Sequence, residues 1–484
     1  MKILLINEPF VKDFCRTQRW AARTRGRVLR APDWLAYATA VLERAGHDAR
    51  LFDMVAEDLR PLDIAGLART HSPDFVVLDS TTPSIYSDIE CARMVKEASK
   101  ARVIMVGPHV SALPAETLRA SAGAVDVACI GEYDLTVKDV VEGSSRLATI
   151  PGIAYWSDNA AVVNPARPLI EDLDALPFPA WHHLDLMKYF DGGKLYPYID
   201  IISGRGCPNR CIFCLWPQVM HGTRYRLRSP ANVVDEIEHD IRLCPRVRET
   251  GEFFFEDDTF TVNKQRALAI CDEIRSRGLH ITFSVNARVD TADRELFRAM
   301  KQAGCRELLV GFESGSQQQL ERMHKNLRTE QAREFMACAR RAGLEVHGCF
   351  VIGLPGETEE SCRQTIDFAR GLGLTTAQFS GAVPFPGTGF FELCSKQGWL
   401  TAKSWSDWLQ EGEQSGVVDY PGLSRERINH YVDLGLKKFY FRPVYMVNFL
   451  LRTRSLSDLY RKIKGAFNFA CYLVRRKGPE RKTV

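Results

Sequence analysis

The sequence predicts an α/β protein with an N-terminal doubly wound parallel sheet, then a partial (β/α)6 TIM-type barrel, then a basic, helical C-terminal extension. Three observations carry this. Short apolar runs of strand length alternate with helical stretches twice along the chain, the pattern of parallel sheets flanked by helices. Polar and glycine-rich residues gather just after those runs, at the ends where such sheets bind ligands. The 484 residues also exceed one ordinary core and suggest two or three domains. The expected divisions are a first domain 1–145, a linker 146–197, the barrel 198–400 and the extension 401–484.

Composition narrows the class. The chain is 45% hydrophobic and 26% charged, with a formal charge of +4, so nothing demands nucleic acid. Fourteen scattered cysteines do not make a disulfide scaffold. The opening MKILLINEPF reads as a strand rather than a signal peptide, and no long apolar run is present. A reducing cytoplasm is the expected location.

In residues 1–145, Lys2–Asn7, Ala49–Asp53, Phe75–Ser80, Val103–Val106 and Val127–Ile130 read as short buried strands. Leu35–Ala45, Leu59–Ala68 and Ile89–Ala98 are the helices between them. Loops at Asn7–Pro9, Ser80–Ser84, Gly107–Ser111 and Gly131–Asp134 fall at the carboxyl ends of the strands. In the linker, Ile150–Ala154 and Ala161–Asn164 suggest a small hairpin, and EDLDALPFPAW (Glu171–Trp181) a proline-rich connection. His182, His183, Tyr189 and Tyr196 follow, each expected to serve packing.

The barrel strands are expected at Tyr198–Ser203, Glu252–Glu256, His280–Val285, Glu307–Phe312, Glu345–Ile352 and Thr375–Ala382. Helices at Asn232–Ile241, Lys264–Arg277, Asp293–Ala303, Thr329–Ala342 and Glu360–Leu372 separate them. After the first strand comes SGRGCPNRCIFC (Ser203–Cys214), a C-x3-C-x2-C triplet of Cys207, Cys211 and Cys214. Three soft thiolates in eight residues suit one metal centre. A [4Fe–4S] cluster normally takes four thiolates, so three leave one iron open. A zinc loop would want a fourth ligand at matching spacing, and none follows; three ordinary small hydrophobes is the blander alternative. Arg205 and Arg210 suit an anionic cofactor.

This triplet and the motifs after it resemble the radical S-adenosylmethionine (SAM) superfamily over the whole barrel. The resemblance implies SAM on the open iron and reductive cleavage to a 5′-deoxyadenosyl radical. It implies Phe213 beside the adenine and Asp257 or Asp258, in EDDTF, on the SAM amino group. Asn286 and Arg288 would grip the SAM carboxylate or the substrate, Glu313 the ribose, and Gly353 and Pro355, in GLPGET, would stand near the adenine. The first domain resembles the cobalamin-binding domain found ahead of many such enzymes. It lacks the Asp-x-His-x-x-Gly motif, so no histidine is obviously placed below cobalt. Thr81, Gly107, Pro108, Ser111 and Glu132 would hold the corrinoid by loop contacts; His109 is either a surface residue or a cobalt-side ligand. CLWPQ (Cys214–Gln218), RYRLRSP (Arg224–Pro230) and DSTTPS (Asp79–Ser84) resemble more narrowly the hopanoid-associated bacteriohopanetetrol cyclitol ether synthase-like group. The opening of the chain and GPH at Gly107–His109 depart from that group. Trp216, Gln218, His221, Arg224, Tyr225 and Arg226 follow the cysteines closely enough to present substrate or to pack the surface.

From Lys437 to Val484 there are thirteen Lys or Arg and two acids, Asp458 and Glu480, interleaved with aromatic residues. Such a segment either lies on an anionic membrane or packs on the barrel with a basic outer face. The family resemblance implies a low-potential electron donor such as flavodoxin or ferredoxin. The expected activity is modification of an unactivated carbon, foremost C-methylation. Its alternatives are a radical rearrangement, ring contraction or ring formation on a lipid-linked substrate, or a non-catalytic iron–sulfur sensor or scaffold.

Overall fold

The computed structural model describes residues 1–17, 21–23, 28–410, 413, 414, 416–443, 445 and 463. The first sheet holds β1 (Lys2–Asn7), β2 (Asp48–Asp53), β3 (Phe75–Asp79), β4 (Arg102–Val106), β5 (Val127–Cys129), β6 (Ile153–Ser157) and β7 (Ala160–Val163). Its order is β2-β1-β3-β4-β5-β6-β7, parallel through β5 and antiparallel thereafter. The two-residue period of a strand explains why it buries both faces. Ile3, Leu5, Val77, Ile104 and Val106 enter one core, while Leu4, Ile6, Val76, Leu78, Val103 and Met105 enter the other. Strand order reverses direction between β1 and β3, so the crevice at their carboxyl ends is the binding edge of the sheet.

Two sequence expectations are corrected here. The hairpin assigned to the linker is β6 and β7 of the first sheet, because β6 pairs with β5 from Ala154 to Ala128. The Gly107–Ser111 loop falls largely in the helix Pro108–Ala112, which is followed after Leu113 by the helix Pro114–Ser121. Proline at the first position of each suits a helix start, where the missing N–H costs nothing.

The second sheet is fully parallel: β8 (Tyr198–Ile201), β9 (Glu252–Phe255), β10 (Phe283–Ala287), β11 (Cys305–Glu313), β12 (Glu345–Ile352) and β13 (Thr376–Gly381), in that order. It is an open barrel. The edge strand β13 is covered by the helix Arg425–Tyr440, whose Gly435 lies against Phe379. The Tyr440 hydroxyl donates to Ala377 O at 2.7 Å and accepts from Ala377 N–H at 3.1 Å, so both backbone groups of that edge residue are met. The basic–aromatic segment thus begins as a docked helix; apart from Phe441, Arg442, Pro443, Tyr445 and Ile463, its remainder lies outside the described residues. No helix among the described residues is long and apolar enough to cross a membrane.

The carboxyl ends of the two sheets meet through buried charge. Arg205, from the cysteine stretch, donates to both oxygens of Asp134 in the first domain at 2.7 and 3.0 Å. Its guanidinium lies 4.4 Å from the Trp34 ring centroid and 5.2 Å from that of Tyr37, both on the first domain's helix Asp33–Arg44. Arg226 grips Glu132 in the same two-pronged way at 2.8 and 2.6 Å. Burial would raise the Glu132 carboxyl, but Arg226 and Arg205 outweigh it and hold it below the usual range. Removing one partner strands the other charge in low dielectric. Asp134→Ala is expected to destabilise the chain by about 3–5 kcal/mol, read as a lowered urea midpoint. Replacing both partners by Leu and Met should recover most of that loss, and an unmoved midpoint in Asp134→Ala would contradict the assignment.

Candidate active site

Cys207, Cys211 and Cys214 lie on one loop after β8, at the mouth of the barrel. Gly206 has φ +94°, and a Cβ there would stand 2.2 Å from Arg224 O, so only glycine lets the loop turn so close to its neighbour. The Gln218 side-chain amide donates to the carbonyls of Cys211, Ile212 and Cys214 at 3.2, 3.2 and 2.7 Å. Gln218 also accepts from Gly389 N–H at 2.9 Å, tying the cysteine loop to the end of the barrel.

The loop's base is fixed by Asp257. It accepts from Ser203 N–H (2.6 Å), Ser203 Oγ (2.7 Å), Gly204 N–H (3.1 Å) and Tyr225 Oη (2.8 Å). The Asp257 oxygens are thus engaged by the chain itself. Asp258 instead faces an interdomain pocket, with its Oδ2 2.6 Å from His221 Nε2. Asn286 donates to Asp257 O at 3.0 Å.

The cations beside the thiols are not those expected. Arg205 turns away to Asp134, and Arg210 is exposed. Arg288 and Lys325 act on Cys211 instead: burial pushes its thiol up, and these two charges pull it down. Arg288 is held by Asp290 through two bonds of 3.0 Å, and Lys325 donates to Glu313 at 2.6 Å. Glu313 has φ +63°, a strained conformation for its residue type that aims it across the strand end. Phe213 is 9% exposed and joins the core beside the loop. The Gly353 N–H donates to Glu357, and its carbonyl accepts from Tyr420 at 2.9 Å. Pro355 is half-buried just beyond it and has no N–H to offer.

At the carboxyl edge of the first sheet, Gly107 has φ +100°, and a Cβ would fall 2.2 Å from Asp79 Oδ1. Ser111 joins two edge loops, donating to Gly107 O at 2.7 Å and accepting from Gly131 N–H at 2.9 Å. Thr81 Oγ1 lies 2.6 Å from Ser84 Oγ, and Pro108 opens the helix beside them. His109 is not at the surface. It is 2% exposed, with Nδ1 3.2 Å from Thr82 Oγ1 and its ring edge-on to Trp405, and burial pushes its pKa down to about 3. Glu132 is likewise committed, to Arg226 and to Ile170 N–H at 3.1 Å.

The residues present suit the groups the motifs imply. None of the three cysteines is in a disulfide, and two positive side chains bear on Cys211, as suits a negative cluster. At the crevice of the first sheet, Glu8 Oε1 and Asp79 Oδ1 are buried without a hydrogen-bond partner among the described residues. Such orphans suit the amide-rich rim of a corrinoid.

Between the sheets lies a pocket of about 370 Å³ of space not filled by atoms, part of it open to solvent. Trp34 and Trp216 stack in its wall with centroids 5.7 Å apart, and Asp33, His221, Glu256 and Asp258 supply polar groups. His221 Nδ1 is buried with no hydrogen-bond partner among the described residues. Burial also raises the Asp33 carboxyl well above its usual range, helped by Asp200 and Glu256. Sequence reading missed Trp34, Asp33 and Lys325. The first two stand at a helix start, and Lys325 lies in a stretch without periodicity, so neither carries a local signal.

The chain was compared with known proteins. Residues 201–369 match the radical SAM superfamily, and residues 31–141 the B12 binding domain. A Pyrococcus horikoshii protein named as an uncharacterized methyltransferase is 32% identical over 456 residues, covering 92% of this chain and 94% of its own length. The anaerobic magnesium-protoporphyrin IX monomethyl ester cyclase of Rubrivivax gelatinosus is 28% identical, covering 75% of this chain and 66% of its own. The structure of the radical S-adenosylmethionine methyltransferase TsrM from Kitasatospora setae, with cobalamin and a [4Fe–4S] cluster bound, superposes with a TM-score of 0.71 at 18% identity. That match covers 98% of this chain and 100% of TsrM.

Two predictions follow from this geometry. Replacing Cys207, Cys211 and Cys214 by alanine should abolish the iron content and EPR signal of the reconstituted chain, whereas alanine at buried Cys271 should leave both intact. The second concerns Asp79, whose pKa burial raises from 3.8 to about 7. A raised folded value means that the native chain holds the proton more tightly, so this group's contribution to stability falls as pH rises through that window and is level above it. Asp79→Asn should therefore make the urea midpoint less dependent on pH between about 4 and 7.

Proposed function

Since the chain belongs to the cobalamin-binding radical SAM family, we propose that it methylates an unactivated carbon of a small polar substrate held between its two sheets. The observation that carries this is the pocket lined by Asp33, Trp34, Trp216, His221, Glu256 and Asp258 between the two cofactor-bearing edges. The chain is an enzyme, and its cofactors are a [4Fe–4S] cluster, SAM and cobalamin. Family membership sets aside the sensor or scaffold reading, and enzymes of this kind draw on an external low-potential electron donor.

Cys207, Cys211 and Cys214 would hold the cluster, with Arg288 and Lys325 offsetting its charge. Asn286, Arg288 and Glu313 would line the SAM side, and Thr81, Gly107, Pro108 and Ser111 the corrinoid side. When bound, the cluster and SAM supply a hydrogen-abstracting radical, and cobalamin a transferable methyl group. The chain's part is placement and exclusion of water. Trp34 and Trp216 wall the pocket, Asp33 and Glu256 orient polar groups of the substrate, and the His221–Asp258 pair holds or accepts a proton. Methyl transfer is supported by the 32% identity to a protein named as a methyltransferase.

A second reading, ring formation or rearrangement without methyl transfer, is favoured by the 28% identity to the cyclase. The resemblance to the hopanoid-associated group belongs to this reading. The polar pocket suits a hydroxylated or aminated head group on such a lipid better than its hydrocarbon.

SAM labelled on its methyl group, incubated with extract of the source cells, tests the proposal. Labelled product formed with S-adenosylhomocysteine is the expected result. Unlabelled product formed with 5′-deoxyadenosine would transfer the assignment to rearrangement. His221→Phe should lower turnover by at least about tenfold while leaving iron and corrinoid content unchanged.

A further inference from the structure

Away from the barrel mouth, the linker crosses the far end of the helix Asp33–Arg44. Three metal-ligating side chains converge there. Glu43 stands in the last turn of that helix, and His182 and His183 form the short turn Trp181–His183. His182 Nε2 lies 3.0 Å and His183 Nε2 2.9 Å from the same oxygen, Glu43 Oε1. The three atoms all fall within 4.8 Å of one another, the one such group among the described residues.

The backbone fixes this arrangement independently of the side chains. Ala180 N–H donates to Ala36 O on the helix at 3.1 Å, His183 N–H to Ala180 O at 3.2 Å, and Leu184 N–H to Trp181 O at 2.9 Å. Trp181 anchors the turn at 1% exposure. The imidazoles lie 4.4 Å apart between centroids and are inclined by 38°. The ligand side chains are 20% to 49% exposed, so an ion can reach them from solvent.

Zinc binds imidazole nitrogen and carboxylate oxygen at about 2.0–2.2 Å in a tetrahedron, which sets neighbouring ligand atoms about 3.3 Å apart. The two Glu43–imidazole separations, 3.0 and 2.9 Å, need a shift of only a few tenths of an ångström, and the third lies within 4.8 Å. Two neutral imidazoles and one carboxylate leave a fourth position for water. Imidazole-rich sites prefer zinc, copper, nickel or iron over magnesium or calcium.

We infer that Glu43, His182 and His183 form a zinc site that clips the linker to the first domain. The clip would act at the opposite end of the helix whose first residues, Asp33 and Trp34, line the interdomain pocket. It would hold that wall and the connection to the barrel as one unit.

The test uses tag-free, cluster-loaded holoprotein, stripped with a mild chelator and titrated with zinc alone by calorimetry. One zinc per chain is expected, with affinity lowered by more than about tenfold in Glu43→Gln and in His183→Ala. His239→Ala, outside the triad, should bind zinc like the parent. Saturating zinc should raise the unfolding temperature of the parent but not of Glu43→Gln or His183→Ala. A chain with Cys207, Cys211 and Cys214 replaced by alanine should still take up one zinc, which separates this site from the cluster loop. Absence of zinc binding, equal binding in the triad variants, or loss of binding in the cysteine variant would each overturn the inference.

Discussion

Two buried, two-pronged arginine–carboxylate contacts hold the architecture together. Arg205 and Arg226 both belong to the stretch around the cysteine loop, and both end on the first domain, at Asp134 and Glu132. A planar guanidinium binding both oxygens of a carboxylate fixes orientation as well as distance. Burial makes the constraint severe, since each charge is tolerable only while its partner is in place. The loop bearing the thiols is therefore positioned by the same contacts that hold the two sheets edge to edge. A radical generated on one edge is useful only if its substrate stands at a fixed place opposite it.

The interior of the barrel mouth repeats this economy at smaller scale. Asp257 has the residue type and strand-end position of a ligand-binding acid, yet it binds Ser203, Gly204 and Tyr225 of its own chain. The neighbouring Asp258 is the one that faces the pocket, in contact with His221. Adjacent residues leaving a strand point to opposite sides, so one carboxylate builds the loop while the next is presented to it. Gly353 follows the same logic. Its positive φ of +96° is used to close a turn against Ile428 and Glu357, and the helix Arg425–Tyr440 packs where a ligand was expected.

Much of this was legible in the sequence, for physical reasons. Parallel strands buried on both faces read as short apolar runs, and all eleven parallel strands stand close to where those runs fall. The cysteine triplet was legible because its three residues are local in sequence. What escaped was whatever depends on tertiary pairing. The hairpin at Ile153–Val163 reads as a free linker element because nothing in its residues names β5 as its neighbour. Arg205 was assigned to a cofactor by proximity in sequence, whereas its partner Asp134 is 71 residues away. His109 lies on a ligand-edge loop but is buried against Trp405, from a part of the chain almost three hundred residues later.

The electrostatics of the cysteine loop follow from the same distinction. The C-x3-C-x2-C stretch carries two arginines of its own, and neither is among the main charges that lower the Cys211 thiol. That charge comes from Arg288, after β10, and Lys325, beyond β11, each already held by a carboxylate. Burial alone would lower the Lys325 ammonium, but Glu313 keeps it protonated, and Lys325 in turn eases ionisation of Cys211. A cation held by its own counter-ion costs less to bury than a bare one and still polarises the nearby sulfur. The charge beside Cys211 is thus supplied by the barrel, which leaves Arg205 to bind the first domain.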